Sequence, residues 1–332
     1  MTKLYMVAAA PHNLNNGSAL RRHELGHRVR FLLSYWYYQQ IDLRLWFATR
    51  FPGEPLDIFV DGGGFSADSQ GGTISFSEYY NWLREYEDLF LTYSNFDVIG
   101  DQAGTDANQI LLESMGLNPF PVFTLQRSGA DYDALRRYLD AGYEYIALGG
   151  CVPFAGATRK LMPHLVKCFQ IASSYPTVFH GFGINTWEIL KALPFYSADA
   201  SSWASGMMYG SLRLFDRTTG RIIQVPLGDR ERIKFAEHII RDAGFDPDMF
   251  VNRTATYEHA GQLCGLSLYN MEQYLRRTHG TIFMPLHGRI FNLQPDTPYE
   301  HHFTAAGHPP LPVLDIDRSL DSAHNRSFGL RS

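Results

Sequence analysis

The chain has 332 residues, of which 45% are hydrophobic and 19% charged, and its formal net charge is -5 at pH 7. This composition is typical of a folded globular protein and excludes a disordered one. No stretch approaches about 18 uninterrupted apolar residues and the N-terminus lacks a signal-peptide pattern, so we expect no membrane span and a cytoplasmic location. Because the net charge is negative, nucleic-acid binding would require a local basic surface.

The cysteines and histidines predict neither a disulfide framework nor a metal site. The three cysteines are scattered and odd in number: Cys151, Cys168 and Cys264. We interpret all three as reduced. Three histidines of the C-terminal segment have no cysteine or carboxylate at ligand spacing and predict a solvated tail: His301, His302 and His308. We therefore expect no metal and no cofactor.

Short apolar, β-rich runs alternate with helix-like stretches along most of the chain. The runs cover residues 4–10, 57–62, 96–101, 121–126, 145–150, 177–183, 195–199 and 221–225. Alternation of strand and helix predicts a parallel sheet. Eight such units, with no Gly-x-Gly-x-x-Gly turn after the first, favour a closed (β/α)8 TIM barrel of the α/β class; an open doubly wound sheet is the alternative.

The patterns divide the chain into three parts. We predict the catalytic barrel over residues 1–228, a helical extension over 229–294 and a partly ordered tail, rich in Pro, His and Ser, over 295–332. Residues 20–30, LRRHELGHRVR, are interpreted as a solvated helix face, with a local basic surface as the alternative.

Polar or glycine residues lie at or near the C-terminal ends of successive predicted strands: Asp61, Asp101, Gln126, Gly149, Gly150, His180 and Asp199. In a barrel these ends meet on the face that carries the active site. One such polar residue is most simply a cap for the next helix. A polar group at so many strand ends instead predicts a site.

The carboxylates in this set are the most informative residues, because converging acids repel one another unless a site uses them. Asp61 precedes three glycines, which would let a ligand approach the backbone; a tight turn is the alternative. Asp199 precedes small hydroxyl residues that could orient it, with a helix cap as its alternative. For Asp101, in VIGDQ, a cap is as good an interpretation as a site.

The order of the motifs resembles that of the guanine transglycosylase family over about residues 55–205. VDGGGF (60–65) is similar to the family's Asp-Ser-Gly-Gly-Phe segment, and HGFG (180–183) to its Met-Gly-x-Gly segment. PVFTLQ (121–126) is similar to the strand that ends in glutamine, and SAD (197–199) to the strand that bears the nucleophile.

Within that family, the chain is most similar to the phage DNA-guanine transglycosylases, which insert 7-deazaguanine bases into DNA. IALGG (146–150), HGFG (180–183) and YSADASSW (196–203) carry this closer likeness. The tRNA enzymes have a Cys-x-Cys-x-x-Cys plus His zinc site after the nucleophile, and no part of this sequence has that spacing. The departure favours DNA over tRNA as the polymer.

The resemblance implies a base-exchange reaction with two carboxylates. Asp199 would be the covalent nucleophile that attacks C1′ of a guanosine, and Asp61 would be the acid/base that serves the departing and incoming bases. The partners implied are DNA, with tRNA as the alternative, and a small 7-deazaguanine of the preQ0 kind.

The resemblance also implies a base-binding site. Asp101 would accept hydrogen bonds from guanine N1–H and N2–H, and Gln126 with the N–H groups of Gly149 or Gly150 would donate to O6. Two side chains would stack on the faces of the base: Phe65 and His180.

Basic and aromatic residues near the predicted pocket are candidates to hold a splayed strand: Arg21, Arg22, Arg28, Arg159, Lys160, Trp203 and Arg213. Three rival functions stay open. They are a transglycosylase acting on tRNA, an unrelated barrel hydrolase or lyase using the same acids, and a barrel that binds a nucleobase or nucleic acid without catalysis.

Overall fold

The computed structural model of the protein describes residues 2–8, 29–53, 56–125, 130–152 and 157–279. Its centre is a sheet of eight parallel strands: β1 (Lys3–Ala8), β2 (Val29–Ser34), β3 (Leu56–Asp61), β4 (Thr92–Tyr93), β5 (Val122–Thr124), β6 (Tyr145–Gly149), β7 (Val178–Gly181) and β8 (Ser197–Ala200). The spatial order is β4-β3-β2-β1-β8-β7-β6-β5. A parallel bridge between Ser94 and Phe120 joins the two ends of the sheet. The (β/α)8 fold predicted from the sequence is therefore confirmed.

Helices follow the strands and cover the outside of the barrel. They are α1 (Tyr35–Tyr38) and α2 (Leu43–Arg50) after β2, α3 (Gly64–Ser69) and α4 (Phe76–Tyr86) after β3, α5 (Gln102–Ser114), α6 (Tyr132–Asp140), α7 (Thr158–Ala172), α8 (Trp187–Ala192) and α9 (Ser205–Tyr209). Side-chain oxygens cap several helix starts; Asp42, for example, accepts a hydrogen bond from the Leu45 N–H at 3.0 Å.

The chain then leaves the barrel. An antiparallel hairpin of β9 (Ser211–Asp216) and β10 (Arg221–Pro226) is followed by α10 (Arg230–Phe235), α11 (Glu237–Asp242), α12 (Pro247–Val251) and α13 (Tyr257–His279). The hairpin and these helices share an apolar core of their own, which includes Leu212, Ile240 and Leu263. The predicted tail over 295–332 lies outside the described residues. Within the described ranges, every helix is too short or too polar to cross a lipid bilayer.

The sequence identified most of the barrel strands but misplaced three. It assigned residues 221–225 to the barrel, whereas they form β10 of the hairpin. It placed the fourth strand at 96–101, and the structure ends β4 at Tyr93. It missed β2, because this strand carries an arginine next to a basic segment. Arg30 is accommodated in β2 by ion pairs with Asp57 at 3.4 Å and Glu272 at 2.9 Å.

Side chains of the strands alternate between the barrel interior and the helix layer, as the period of two requires. The interior is filled by large, mostly aromatic groups that include Tyr5, Phe59, Phe120 and Tyr145. Phe59 contacts Tyr5 and Phe120 edge to face, with centroids 5.3 and 5.1 Å apart. The barrel is therefore a packed core, and a site can form only beyond the strand ends.

The opposite, N-terminal end of the barrel is closed by a buried ion network on α13. The Glu272 carboxylate is fully buried and accepts hydrogen bonds from the Leu4 N–H and from Arg30, each at 2.9 Å. Arg276 approaches the same carboxylate at 2.7 Å. This network joins the last helix to the starts of β1 and β2, which are more than 240 residues away in the chain.

We predict that Glu272→Ala lowers the free energy of unfolding by about 3–5 kcal/mol, because it leaves two arginines and a backbone N–H in a buried position without their acceptor. Urea or guanidinium unfolding measures the effect. Arg136→Ala, which removes an exposed i,i+3 pair with Asp133, is the control and should change stability little. Equal stability of the two variants would show that the network does not hold α13 to the barrel.

Candidate active site

A cavity of about 750 Å³ opens at the carboxyl ends of the strands. This is the face where barrel enzymes hold their substrates, and the volume is in the range of small-molecule sites. The cavity brings together five of the residues that the sequence singled out: Asp61, Phe65, Gly149, Gly150 and Asp199.

The cavity is acidic and contains no basic side chain among the described residues that line it. Four carboxylates contribute to it: Asp61, Asp68, Asp97 and Asp199. The rest of the wall is largely apolar or backbone, with Ile99, Leu125, Val152 and Phe182 among the contributors. Such a wall favours a ligand that is flat, apolar on its faces and rich in hydrogen-bond donors, and it disfavours a phosphate.

Asp61 lies at the end of β3, next to Ser34 at the end of β2. Burial raises the pKa of Asp61 to about 8, and the Ser34 hydroxyl opposes this rise while the charges of Asp97 and Asp199 add to it. The Oδ1 atom is buried and has no hydrogen-bond partner among the described residues. Asp61 is thus a carboxyl group that is protonated at neutral pH and can give up its proton near that pH.

Asp97 is a cavity residue that the sequence analysis missed. It follows β4 and lines the cavity, and burial raises its pKa to about 6. The signal was present in FDVIGD, which contains two acids four residues apart. Because the sequence placed the strand at 96–101, it selected the second acid, Asp101, instead of the first.

The glycines after Asp61 allow Asp61 and Asp97 to lie close together. Gly63 has a left-handed backbone (φ 77°), and an added Cβ would lie 2.6 Å from Ser34 Oγ. A Cβ on Gly64 would lie 2.6 Å from the backbone oxygen of Asp97. The sequence analysis expected these glycines to let a ligand approach the backbone, and Gly63 and Gly64 do line the cavity. They also admit the neighbouring segments, and so bring Asp61 and Asp97 to one wall.

Asp101 does not line the cavity. It is exposed and forms the N-cap of α5, where its Oδ1 atom accepts a hydrogen bond from the Gly104 N–H at 3.0 Å. Of the two interpretations that the sequence left open for Asp101, the structure supports the helix cap.

Asp199 lies in β8 beside Tyr5 of β1 and is 6% exposed. Its Oδ1 atom accepts a hydrogen bond from the Gly183 N–H at 2.8 Å, and His180 Nε2 lies 3.3 Å from the same oxygen. The carboxylate is therefore fixed by the turn after β7 while its residue lines the cavity.

His180 is not a stacking residue, contrary to the expectation from sequence. Its ring is fully buried in the barrel interior, against Phe59 and Phe182 at centroid distances of 4.5 and 4.7 Å. The strand period explains this, because His180 and Val178 point inward from β7 while Phe179 points outward. Burial lowers the pKa of His180 below its ordinary value of 6.5, although the Asp199 contact opposes the shift.

Three aromatic rings do line the cavity: Tyr37, Phe65 and Phe182. Phe65, in the first turn of α3, is 40% exposed, and Phe182 lies just past the end of β7. Phe182 is tilted against Phe59, with centroids 5.8 Å apart, so its position is fixed by the barrel interior. Phe182 belongs to the HGFG segment that the sequence analysis noted, but the sequence analysis selected His180 from it.

The residues predicted to contact a nucleic-acid strand lie in different environments. Arg159 and Lys160 are exposed in the first turn of α7, on the cavity side of the barrel. Trp203 is 3% exposed and donates to the Val7 oxygen at 3.0 Å, so it cannot stack on a strand. Arg213 is half-buried and bonded to the Asn185 oxygen. Three further candidates for strand contact lie outside the described residues: Arg21, Arg22 and Arg28. Gln126, the candidate for base binding, also lies outside them.

Comparison with known proteins shows no family model that matches the chain and no curated protein that matches its sequence. Among solved structures, one similar chain is a protein from Coccidioides immitis assigned as a fructose-1,6-biphosphate aldolase. It has 11% sequence identity and a TM-score of 0.48, over 84% of this chain and 92% of that chain. Similarity at this level carries no information about activity.

The raised pKa of Asp61 predicts a pH-dependent stability. Its folded-state pKa of about 8 lies above the ordinary 3.8, so its contribution is fully present below about pH 4 and is lost as pH rises through 8. From pH 5 to 8.5 this loss is on the order of 3 kcal/mol. We expect Asp61→Asn to flatten that part of the stability–pH curve, as measured by urea unfolding. If Asp61→Asn kept the wild-type slope of unfolding free energy against pH, the slope would not come from the raised pKa of Asp61.

Proposed function

We propose that this protein is a transglycosylase that exchanges a guanine in DNA for a 7-deazaguanine base through a covalent glycosyl-aspartate. The observation that carries the proposal is a pair of carboxylates, from β3 and β8, that share one acidic cavity. One of them, Asp61, has a pKa near 8, and the other, Asp199, is fixed by a backbone hydrogen bond at 2.8 Å. The order of motifs in the sequence supports the same reaction.

Exchange of a base requires cleavage and formation of the bond between C1′ and N9, through an oxocarbenium-like transition state. Asp199 attacks C1′ and forms an ester, while protonated Asp61 gives its proton to the departing guanine. The incoming base then loses its N9 proton to Asp61 and attacks C1′, and the Asp199 carboxylate is released. Asp61 returns to its protonated form, so a single proton on this residue serves both halves of the cycle.

Asp97 is the best candidate to recognise the base. A carboxylate can accept both N1–H and N2–H of guanine, and a 7-deazaguanine presents the same edge. With a pKa of about 6, Asp97 is largely ionised at neutral pH, whereas Asp61 is not. Backbone N–H groups of Gly149 and Gly150 are candidates for O6, and Phe65 and Phe182 for the ring faces.

The polymer would remain outside the cavity. Four carboxylates, with no lysine or arginine among the described lining residues, disfavour a phosphate in the interior. A nucleotide would therefore enter by its base, turned out of the stack, with its backbone on the rim near Arg159 and Lys160.

The missing zinc motif favours DNA over tRNA. Mass spectrometry of nucleosides from both polymers, after expression with a 7-deazaguanine precursor, distinguishes the two.

We predict that Asp199→Ala reduces base exchange to below about a thousandth of the wild-type rate, because it removes the attacking oxygen. The assays are incorporation of labelled guanine into DNA and trapping of a protein–DNA adduct on a denaturing gel. Asp133→Asn, at an exposed carboxylate that does not line the cavity, should exchange and trap normally. Exchange by Asp199→Ala at a rate near wild type would refute the mechanism, and a silent wild type would favour a binding protein.

A matched pair of variants tests which acid recognises the base. Asp97→Asn should raise the KM for guanine by about tenfold or more, because the amide cannot accept from both donors, and should remove the fall in kcat/KM below about pH 6. Asp101→Asn should have near wild-type kinetics, since asparagine also caps a helix. If Asp101→Asn raised the KM for guanine more than Asp97→Asn did, Asp101 would be the residue that recognises the base.

A further inference from the structure

Beneath Asp199, a chain of buried polar side chains runs into the barrel interior. His180 Nδ1 lies 2.7 Å from Ser197 Oγ, and Ser197 Oγ lies 2.5 Å from the Tyr145 hydroxyl. His180, Ser197 and Tyr145 are each at most 1% exposed. The three residues come from β7, β8 and β6, and the neighbouring interior side chains from β1 and β3 are aromatic: Tyr5 and Phe59.

The direction of the hydrogen bonds follows from the chemistry of the groups. A carboxylate can only accept, so the hydrogen between Asp199 and His180 belongs to Nε2. Nε2 is buried and makes no hydrogen bond with the described residues, and Asp199 Oδ1, 3.3 Å away, is the carboxylate oxygen beside it. A neutral imidazole with Nε2–H has an acceptor at Nδ1, which takes the Ser197 proton, and Ser197 Oγ then accepts from Tyr145. Every step has one donor and one acceptor, with no charge in the interior beyond Asp199.

Both contacts to the carboxylate fall on one oxygen. The Gly183 N–H and His180 Nε2 meet Oδ1, at 2.8 and 3.3 Å. Among the described residues, no other side chain or backbone group bonds to Asp199, so Oδ2 is the oxygen that remains for chemistry. A carboxylate that is held on one oxygen presents the other in a fixed direction.

We propose that His180, Ser197 and Tyr145 are positioning residues that hold Oδ1 of Asp199 and thereby present Oδ2 to C1′. This inference rests on the nucleophilic role of Asp199 in the proposed function. In the first half-reaction the Oδ2–C1′ bond forms as the C1′–N9 bond to guanine breaks. In the second, the Oδ2–C1′ bond breaks as N9 of the new base bonds to C1′, and the electron pair returns to the carboxylate.

The positioning chain has a specific kinetic consequence. Nε2–H favours the negatively charged carboxylate over the neutral ester, so it assists the second half-reaction, in which Asp199 leaves. Loss of this donor should therefore slow release from the ester more than its formation. Loss of a residue that has only a packing role would not change the relative rates of the two half-reactions.

The first test needs no turnover. Long-range nitrogen-15 NMR of histidine-labelled protein should show His180 as the neutral Nε2–H tautomer, and Asp199→Asn should move its Nε2 resonance. His164, a second buried histidine that contacts Tyr132 and Cys168, is the control and should not respond. An Nδ1–H tautomer, or a His180 signal unaffected by Asp199→Asn, would overturn the contact whether or not the protein exchanges bases.

The second test is kinetic. We expect His180→Met to lower kcat about ten- to a hundredfold with little change in KM for the base, and to increase the steady-state fraction of trapped adduct. His180→Gln, whose amide can donate, should recover part of kcat, and His164→Gln controls for loss of a buried imidazole. Tyr145→Phe, which keeps the ring, tests the chain if His180→Met fails to fold, and should shift the adduct fraction in the same direction.

Two results would overturn the proposal: an unchanged adduct fraction in both His180→Met and Tyr145→Phe, or an effect confined to KM. A wild-type protein that forms no adduct with DNA or tRNA would instead refute the proposed function, and the NMR measurement would still decide whether His180 holds Asp199.

Discussion

Closure of eight parallel strands into a barrel is the constraint on which the rest of this structure depends. It brings the carboxyl ends of all strands to one rim, so residues from β3, β4 and β8 that are far apart in the chain become neighbours. It also fills the interior with aromatic rings, and these fix Phe182 and His180 from below. The cavity is therefore shallow enough to be reached from solvent and has a rigid floor.

The carboxylates at the two ends of the barrel have opposite surroundings. At the N-terminal end, Asp57 and Glu272 are paired with arginines, and the network stabilises the fold. At the C-terminal end, Asp61 and Asp97 have no cationic partner among the described residues, and their pKa values rise to about 8 and 6. Unpaired buried acids destabilise a fold, so their concentration at the functional end is best explained by chemistry that uses their protons.

In the proposed function the three acids would divide the work, because their surroundings differ. The pKa of Asp61 is raised most strongly, because the charges of Asp97 and Asp199 add to the effect of burial. Asp97 is half-buried and its pKa is raised less, which would suit a group that stays ionised to bind hydrogen-bond donors. Asp199 is fixed through a single oxygen by the turn after β7. One site can thus contain a proton donor, a hydrogen-bond acceptor and a nucleophile of the same residue type.

The sequence by itself determined the fold class and the two central acids. The alternation of apolar runs and helical patterns is a local property, and it predicted the barrel. Asp61 and Asp199 lie at or near the carboxyl ends of their strands, so their convergence could be inferred from the fold. The sequence also determined the chemistry that these residue types allow, and the motif order on which the proposal of base exchange rests.

The tertiary structure decided which neighbour of each motif faces the cavity. Asp97 replaces Asp101 because β4 ends at Tyr93 and the loop after it packs on Gly64. Phe182 replaces His180 because the strand period turns the imidazole into the barrel. These outcomes depend on register and on contacts between distant segments. An eight-residue error in a strand end, which local patterns cannot resolve, is enough to exchange a cavity residue for a helix cap.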